Sequence, residues 1–223
     1  MKKEHLFNAL AIFISIVGSF GVERLIEYRK EQNEIKILET NLLHELEQNY
    51  YSLLSLRGVL NSVIDVSDSI TANWNSISSI KVKIFHTNSL YDKNERIELI
   101  LSNSYGLTSR NMYLNSLINS GLILKIKSSA VRNQIESVNL LVSGDYLQSN
   151  EVIRNNIKDW FVKYSKKEES LNNELIFDKH KDFELYQFLT LRRRNEVYKL
   201  SGVNGKIKFL KEIINEIKAN GLF

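Results

Sequence analysis

Residues 6–22 read LFNALAIFISIVGSFGV, and residues 23–39 continue at once as ERLIEYRKEQNEIKILE. The first segment holds 17 residues without a formal charge. As a helix it spans roughly 25 Å, the short end of a membrane crossing. Lys3 and His5 before it, and Arg24 and Tyr28 after it, can extend the span by snorkelling. Its apolar members are Leu6, Phe7, Leu10, Ile12, Phe13, Ile14, Ile16, Val17, Phe20 and Val22. They cover every face of the helix, which a helix lying on a soluble core has no reason to do. Residues 1–24 therefore read as a transmembrane anchor.

A cleaved export signal is the alternative. Met1 to His5 makes a basic start, Leu6 to Val17 an apolar centre, and Ser19-Phe20-Gly21 a small-residue zone. Against cleavage, Phe20 and Val22 are large, and no proline or polar turn separates the apolar part from the charged continuation. The charge rule for orientation is nearly balanced. Lys2, Lys3 and the terminal amine face Arg24, Arg29, Lys30 and Lys36 across the span, and the short basic amino end leans toward a body outside the cytoplasm. Ala11, Ser15, Gly18 and Ser19 fall close to one face, the kind of small surface along which membrane helices associate.

The whole chain suits long helices. Among its 223 residues there is no proline to break them and no cysteine. Disulfides, thiolate metal sites and cysteine nucleophiles are excluded. The 30 basic and 26 acidic residues leave a net charge of +4, with the signs interleaved as on solvated helix faces. A nucleic-acid binder would concentrate its charge, whereas the longest basic run is Arg192, Arg193 and Arg194.

Beyond the anchor, Tyr28, Ile35, Leu42, Leu46, Leu53, Leu56, Leu60 and Val63 follow steps of three, four and seven. This heptad-like seam makes residues 25–66 a stalk helix, either packed on its own domain, which we favour, or coiled with a second copy. Residues 67–92 are rich in Ser and Asn and read as an irregular connection. Within them SIKVKIF (79–85) alternates like a short strand. Residues 93–223 form the helical body. A helix resumes near Asp92, and Thr108 or Ser109 caps another that stops at Gly121. Ser128 or Ser129 starts a third, running to about Ser143 before a Gly144-Asp145 turn. Further helices are expected over 147–176, 183–200 and 206–218, with Asn204-Gly205 as the last turn.

The order of an apolar amino-terminal span, VERLIEYRKEQNEIKILETNLLHELEQN, LNSLINSGLILKIKSSAVRNQI and LTLRRRNEVYKL resembles an uncharacterised family of bacterial single-span membrane proteins. These carry a transmembrane helix and a helical soluble domain of unknown function. The resemblance implies an anchor in a bacterial cell membrane and a helical body, and no activity.

Residues that could carry chemistry are few. His44 and Glu47 share a helix face, and Asp178, His180 and Asp182 alternate in DKHKD, but neither set reaches a metal site by itself. No G-x-S-x-G occurs, and the Gly-Lys at 205–206 lacks the spacing and the following Ser or Thr of a phosphate loop. No Arg is followed four to six residues later by His, as a common helical defence nuclease would require. Arg192, Arg193, Arg194 and Arg110 are candidates for an anion or lipid contact. Trp160, Phe161, Tyr164, Phe183, Tyr186 and Phe188 read as core.

The sequence thus predicts an all-α protein: a transmembrane helix continuing into a long stalk, packed in an antiparallel helical bundle. It is expected to be no enzyme, to need no cofactor or metal, and to bind no nucleic acid. No small-molecule substrate is identified. The expected partners are the bilayer and either another protein or a second copy, in a scaffold, sensor or interaction role. The alternative is an oligomeric membrane effector, such as a small pore or a phage-defence membrane disruptor.

Overall fold

In a computed structural model the stalk seam and the apolar amino-terminal stretch belong to one helix, α1 (Lys2–Ala72), 71 residues and roughly 105 Å long. The structure describes residues 2–90, 96–106, 109–129, 131–133, 135, 146–168 and 170–222, with the backbone alone for 2–10, 90 and 146–150. Every regular element among these residues is helical. After α1 come α2 (Ser79–Leu90), α3 (Ile97–Ser102), α4 (Met112–Asn119), a 3-10 turn (Leu122–Lys125), α5 (Tyr146–Ser165), α6 (Asn173–His180) and α7 (Phe183–Asn220).

The connection expected over 67–92 is mostly helix. Residues 67–72 extend α1, and α2 takes the place of the strand. Alternation would bury Ile80, Val82 and Ile84 together. Instead Ser79, Val82 and His86 are buried, while Ile80 and Ile84 stay exposed. Those spacings are helical, so tertiary burial overrides the local two-residue pattern. Asp178 secures the start of α2 by accepting from the Ser79 backbone N–H at 2.6 Å and its hydroxyl at 2.7 Å.

The turn expected at Asn204-Gly205 is likewise absent, because α7 runs through it. Its buried side is Leu185, Leu189, Arg192, Glu196, Lys199, Val203, Ile207, Leu210, Ile214 and Ile217, spaced by threes and fours. One exposed glycine costs about 1 kcal/mol in a helix, less than one buried isoleucine returns. The single helix expected over 147–176 is two, α5 and α6. Gly121 does end its helical stretch as expected, with φ of 72° in the left-handed region. Ser128 accepts from the Val131 N–H at 3.3 Å, as a cap there should. The expected helix start near Asp92, the Thr108 cap, the helix end near Ser143 and the Gly144-Asp145 turn lie outside the described residues.

α7 returns antiparallel along α1. Glu39 accepts from the Leu222 N–H at 2.8 Å, Glu47 pairs with Lys218 at 2.6 Å, and Asp68 pairs with Arg193, so numbers rise on one helix as they fall on the other. The stalk seam is therefore buried within the chain from Leu42 onward, whereas Tyr28 is exposed. Two apolar cores lie along the pair. The first joins Leu42–Leu60 to Leu114, Leu117 and Val203–Ile217. The second joins Val66 and Ile70 to α2, α3, α5, α6 and Leu185–Leu189. Trp160 and Phe161 are in the second core, as expected for the aromatics, but Phe183 is 69% exposed.

Candidate functional site

Two features stand out from this scaffold. The first is the amino-terminal part of α1. Every described side chain from Ala11 to Glu34 is exposed. Among the described residues the body reaches back to Glu31, which pairs with Lys125 at 2.5 Å. Ile12, Phe13, Ile14, Ile16, Val17, Phe20 and Val22 are each at least half exposed and point to all sides. Ala11, Ser15, Gly18 and Ser19 share an arc of about 100°. The two serines turn their hydroxyls back onto their own helix, Ser15 to the Ala11 carbonyl and Ser19 to the Ser15 carbonyl, both at 2.8 Å. That face is left smooth, with both donors satisfied.

Among the described residues no helix is long and apolar enough to cross a membrane. The apolar helix with described side chains runs from Ala11 to Val22, roughly 18 Å against the ~30 Å of a bilayer core. The side chains of Leu6, Phe7 and Leu10 lie outside the description. The expected transmembrane span is thus not met by the described part of α1.

The second feature is a buried polar layer between the two apolar cores, where α7 presents Arg192, Glu196 and Lys199 inward. Arg192 donates from Nη1 to the carbonyls of Ile100 and Leu101 and from Nη2 to that of Asn103, each at 2.7 Å. These carbonyls close or follow α3, a six-residue helix in which the Asn103 N–H serves only the Leu99 carbonyl. Lys199 donates to the Tyr105 carbonyl and lies 3.9 Å from Glu196. Burial pushes the Glu196 carboxyl above its ordinary range, against the pull of Lys199 and Arg192. Burial likewise lowers Lys199, against the pull of Glu196. Glu196 Oε2 has no hydrogen-bond partner among the described residues, and the crevice beside it is too tight for a water molecule. A proton can reside on Glu196, but the described residues leave no room there for a substrate.

α1 does the same for α4. Glu45, buried, accepts from the backbone N–H groups of Tyr113 at 2.9 Å and Leu114 at 3.0 Å. Asn49 pairs both ways with the Arg110 backbone, at 2.6 and 2.9 Å. The α4 cap residue Asn111 makes no side-chain bond of its own. Glu45 thus caps α4 from 68 residues away. Glu45→Ala should lower unfolding stability by about 2 kcal/mol, with Glu45→Gln in between, and should expose the α4 amides to hydrogen exchange first. Unchanged exchange at Tyr113 and Leu114 would contradict that role.

The remaining candidates separate. His44 bonds Gln48 at 2.7 Å, while Glu47 faces Lys218. Asp178 caps α2. His180 bonds Glu168 at 3.0 Å and stacks on Tyr164. Asp182 caps α7 through the Leu185 N–H and accepts from Trp160 Nε1 at 3.0 Å and the Tyr164 hydroxyl at 2.9 Å. Among the described residues no group of three His, Asp or Glu is placed to hold a metal. Arg192 is turned inward, Arg193 pairs with Asp68, Arg110 bonds Gln48, and only Arg194 of the arginine run is exposed. Comparison with protein-family models, curated proteins and solved structures finds no match.

Proposed function

We propose that this chain is a membrane-anchored helical bundle protein, of a bacterial cell membrane, with residues 6–22 as the anchor. Its body serves as an interaction, scaffold or sensor module without catalysis. The observation that supports this reading is the apolar helix projecting from the body with all its faces uncovered. Burying its seven large described side chains is worth on the order of 10 kcal/mol, comparable to the whole stability of a domain. A protein partner on one side covers part of that surface, whereas lipid covers all of it. Continuity of the anchor with α1 then ties whatever the body binds to the bilayer.

Carbonate-washed membranes from expressing cells test the anchor. The full chain should stay with the membranes, and Ile14→Arg should weaken retention by roughly tenfold to a hundredfold, since a central arginine costs about 2.5 kcal/mol. A wild-type chain that washes into the soluble fraction would end the reading.

The alternative, an oligomeric membrane effector, draws its support from the smooth arc of Ala11, Ser15, Gly18 and Ser19. Small residues let helices approach closely in lipid. A multi-copy mass by light scattering in mild detergent, reduced by Gly18→Leu, would favour it over the anchored module.

A further inference from the structure

We propose that a pocket at the far end of α1 binds a neutral saccharide. The pocket has a volume of about 320 Å³ and lies where α1 ends and α7 begins. That is roughly 90 Å of helix from Ala11, and the proposal stands whether or not the amino-terminal helix enters a bilayer. Trp74, Phe183 and Tyr186 supply its aromatic wall, and Thr71, Asn73 and Asn75 its polar rim. Phe183 stacks on Tyr186 with ring centres 6.1 Å apart, and Trp74 tilts against Tyr186 at 5.5 Å. Phe183 is 69% exposed at the first position of its helix, where a polar residue would serve the helix equally well. One exposed ring and two half-buried ones beside two amides make the mixed lining of a small-molecule site, with the Thr71 hydroxyl and the Asn73 amide already donating to the Ser67 and Ser69 carbonyls and Asn75 left to orient a ligand.

Charge selects the ligand class. Among the described residues no carboxylate, lysine or arginine lines the pocket. The adjacent Asp182 has its oxygens engaged by Leu185, Trp160 and Tyr164. The pocket lies between the carbonyl end of α1 and the amide end of α7, which Asp182 already caps, so the two helix ends favour neither sign of charge. A pyranose ring fits what remains. Its C–H face packs on aromatic rings, and its hydroxyls both donate to carbonyls and accept from amides.

The test uses the full chain in a phosphocholine detergent, because glucoside and maltoside detergents would compete. Saturation-transfer NMR is recorded with chitotriose and with maltotriose. At least one should receive saturation, with a Kd on the order of 1 mM. Phe183→Ala and Asn75→Ala, both at exposed positions, should weaken binding about tenfold with an unchanged circular dichroism spectrum. No transfer to either sugar at about 10 mM, or transfer undiminished in Phe183→Ala, would overturn the proposal. So would saturation of a neutral capped dipeptide in place of both sugars.

Discussion

Arg192→Leu is expected to lower folding stability by about 4 kcal/mol, among the largest losses for any single side chain in the protein. The guanidinium satisfies three carbonyls, of Ile100, Leu101 and Asn103, at a position only 6% exposed. Leucine keeps part of the stem packing but withdraws the guanidinium donors from those buried acceptors. Each buried acceptor left so costs about 1–3 kcal/mol. The variant also removes a positive neighbour of Glu196, which then bears its buried charge with less compensation. Arg192→Lys should recover only part of the loss, because a single ammonium cannot repeat the planar fork that reaches both α3 and the segment after it. Urea unfolding of the full chain, followed by far-UV circular dichroism, reads the effect. A loss below about 1 kcal/mol would mean that α3 does not depend on Arg192 for its end.

The same residue explains which parts of the fold were legible in the sequence. α1 was readable because Leu42, Leu46, Leu53, Leu56, Leu60 and Val63 keep one apolar period and no proline interrupts it. α7 carries an equally regular seam, but three of its inward positions are Arg192, Glu196 and Lys199. The helix is expected through them, over 183–200, but their charge hides that this face is buried, and the following Asn204-Gly205 looks like its end. Burial of those charges becomes intelligible only once α3 and Tyr105 are beside them, about 90 residues away in sequence. Glu45 is the mirror case on α1. It looks like a solvated stalk residue, yet it serves as the cap of α4. The strand reading of 79–85 failed for a related reason. Seven residues of alternation fit either element, and only the placement of Ser79, Val82 and His86 against α6 and the second core decides. The aromatic pocket was hidden by distance, since Trp74 and Phe183 are neighbours only because α7 runs back along α1. The apolar residues 6–22 are conspicuous in the sequence, and the described side chains among them are exposed on a stretch too short on its own to cross a bilayer.

Lys199→Met should show how the polar layer responds to pH. At neutral pH the expected loss is about 3–5 kcal/mol, the usual result of leaving one charge of a buried pair without its partner. Lys199 also donates to the Tyr105 carbonyl, so part of the loss is that acceptor and does not depend on pH. The remainder belongs to Glu196, and its sign follows from the carboxyl's direction of shift. Burial raises its folded pKa above the unfolded value, and removal of Lys199 raises it further. Below the ordinary carboxylate range Glu196 is protonated in both states and contributes no penalty. As pH rises through the gap between the unfolded and the folded value, the unfolded chain releases a proton that the folded chain keeps, and stability falls. The penalty is complete once pH exceeds the folded pKa. Lys199→Met should therefore be closest to wild type in acid and diverge as pH rises toward neutrality. Glu196→Gln added to Lys199→Met should flatten that divergence and recover most of the neutral-pH loss, because the amide carries no charge to bury. Wild-type stability should itself decline over the same interval, less steeply, since Lys199 and Arg192 offset part of the cost. Urea midpoints for the three proteins across the acid-to-neutral range measure all of this. A Lys199→Met deficit independent of pH would place the cost at Tyr105 alone and remove Glu196 from the account.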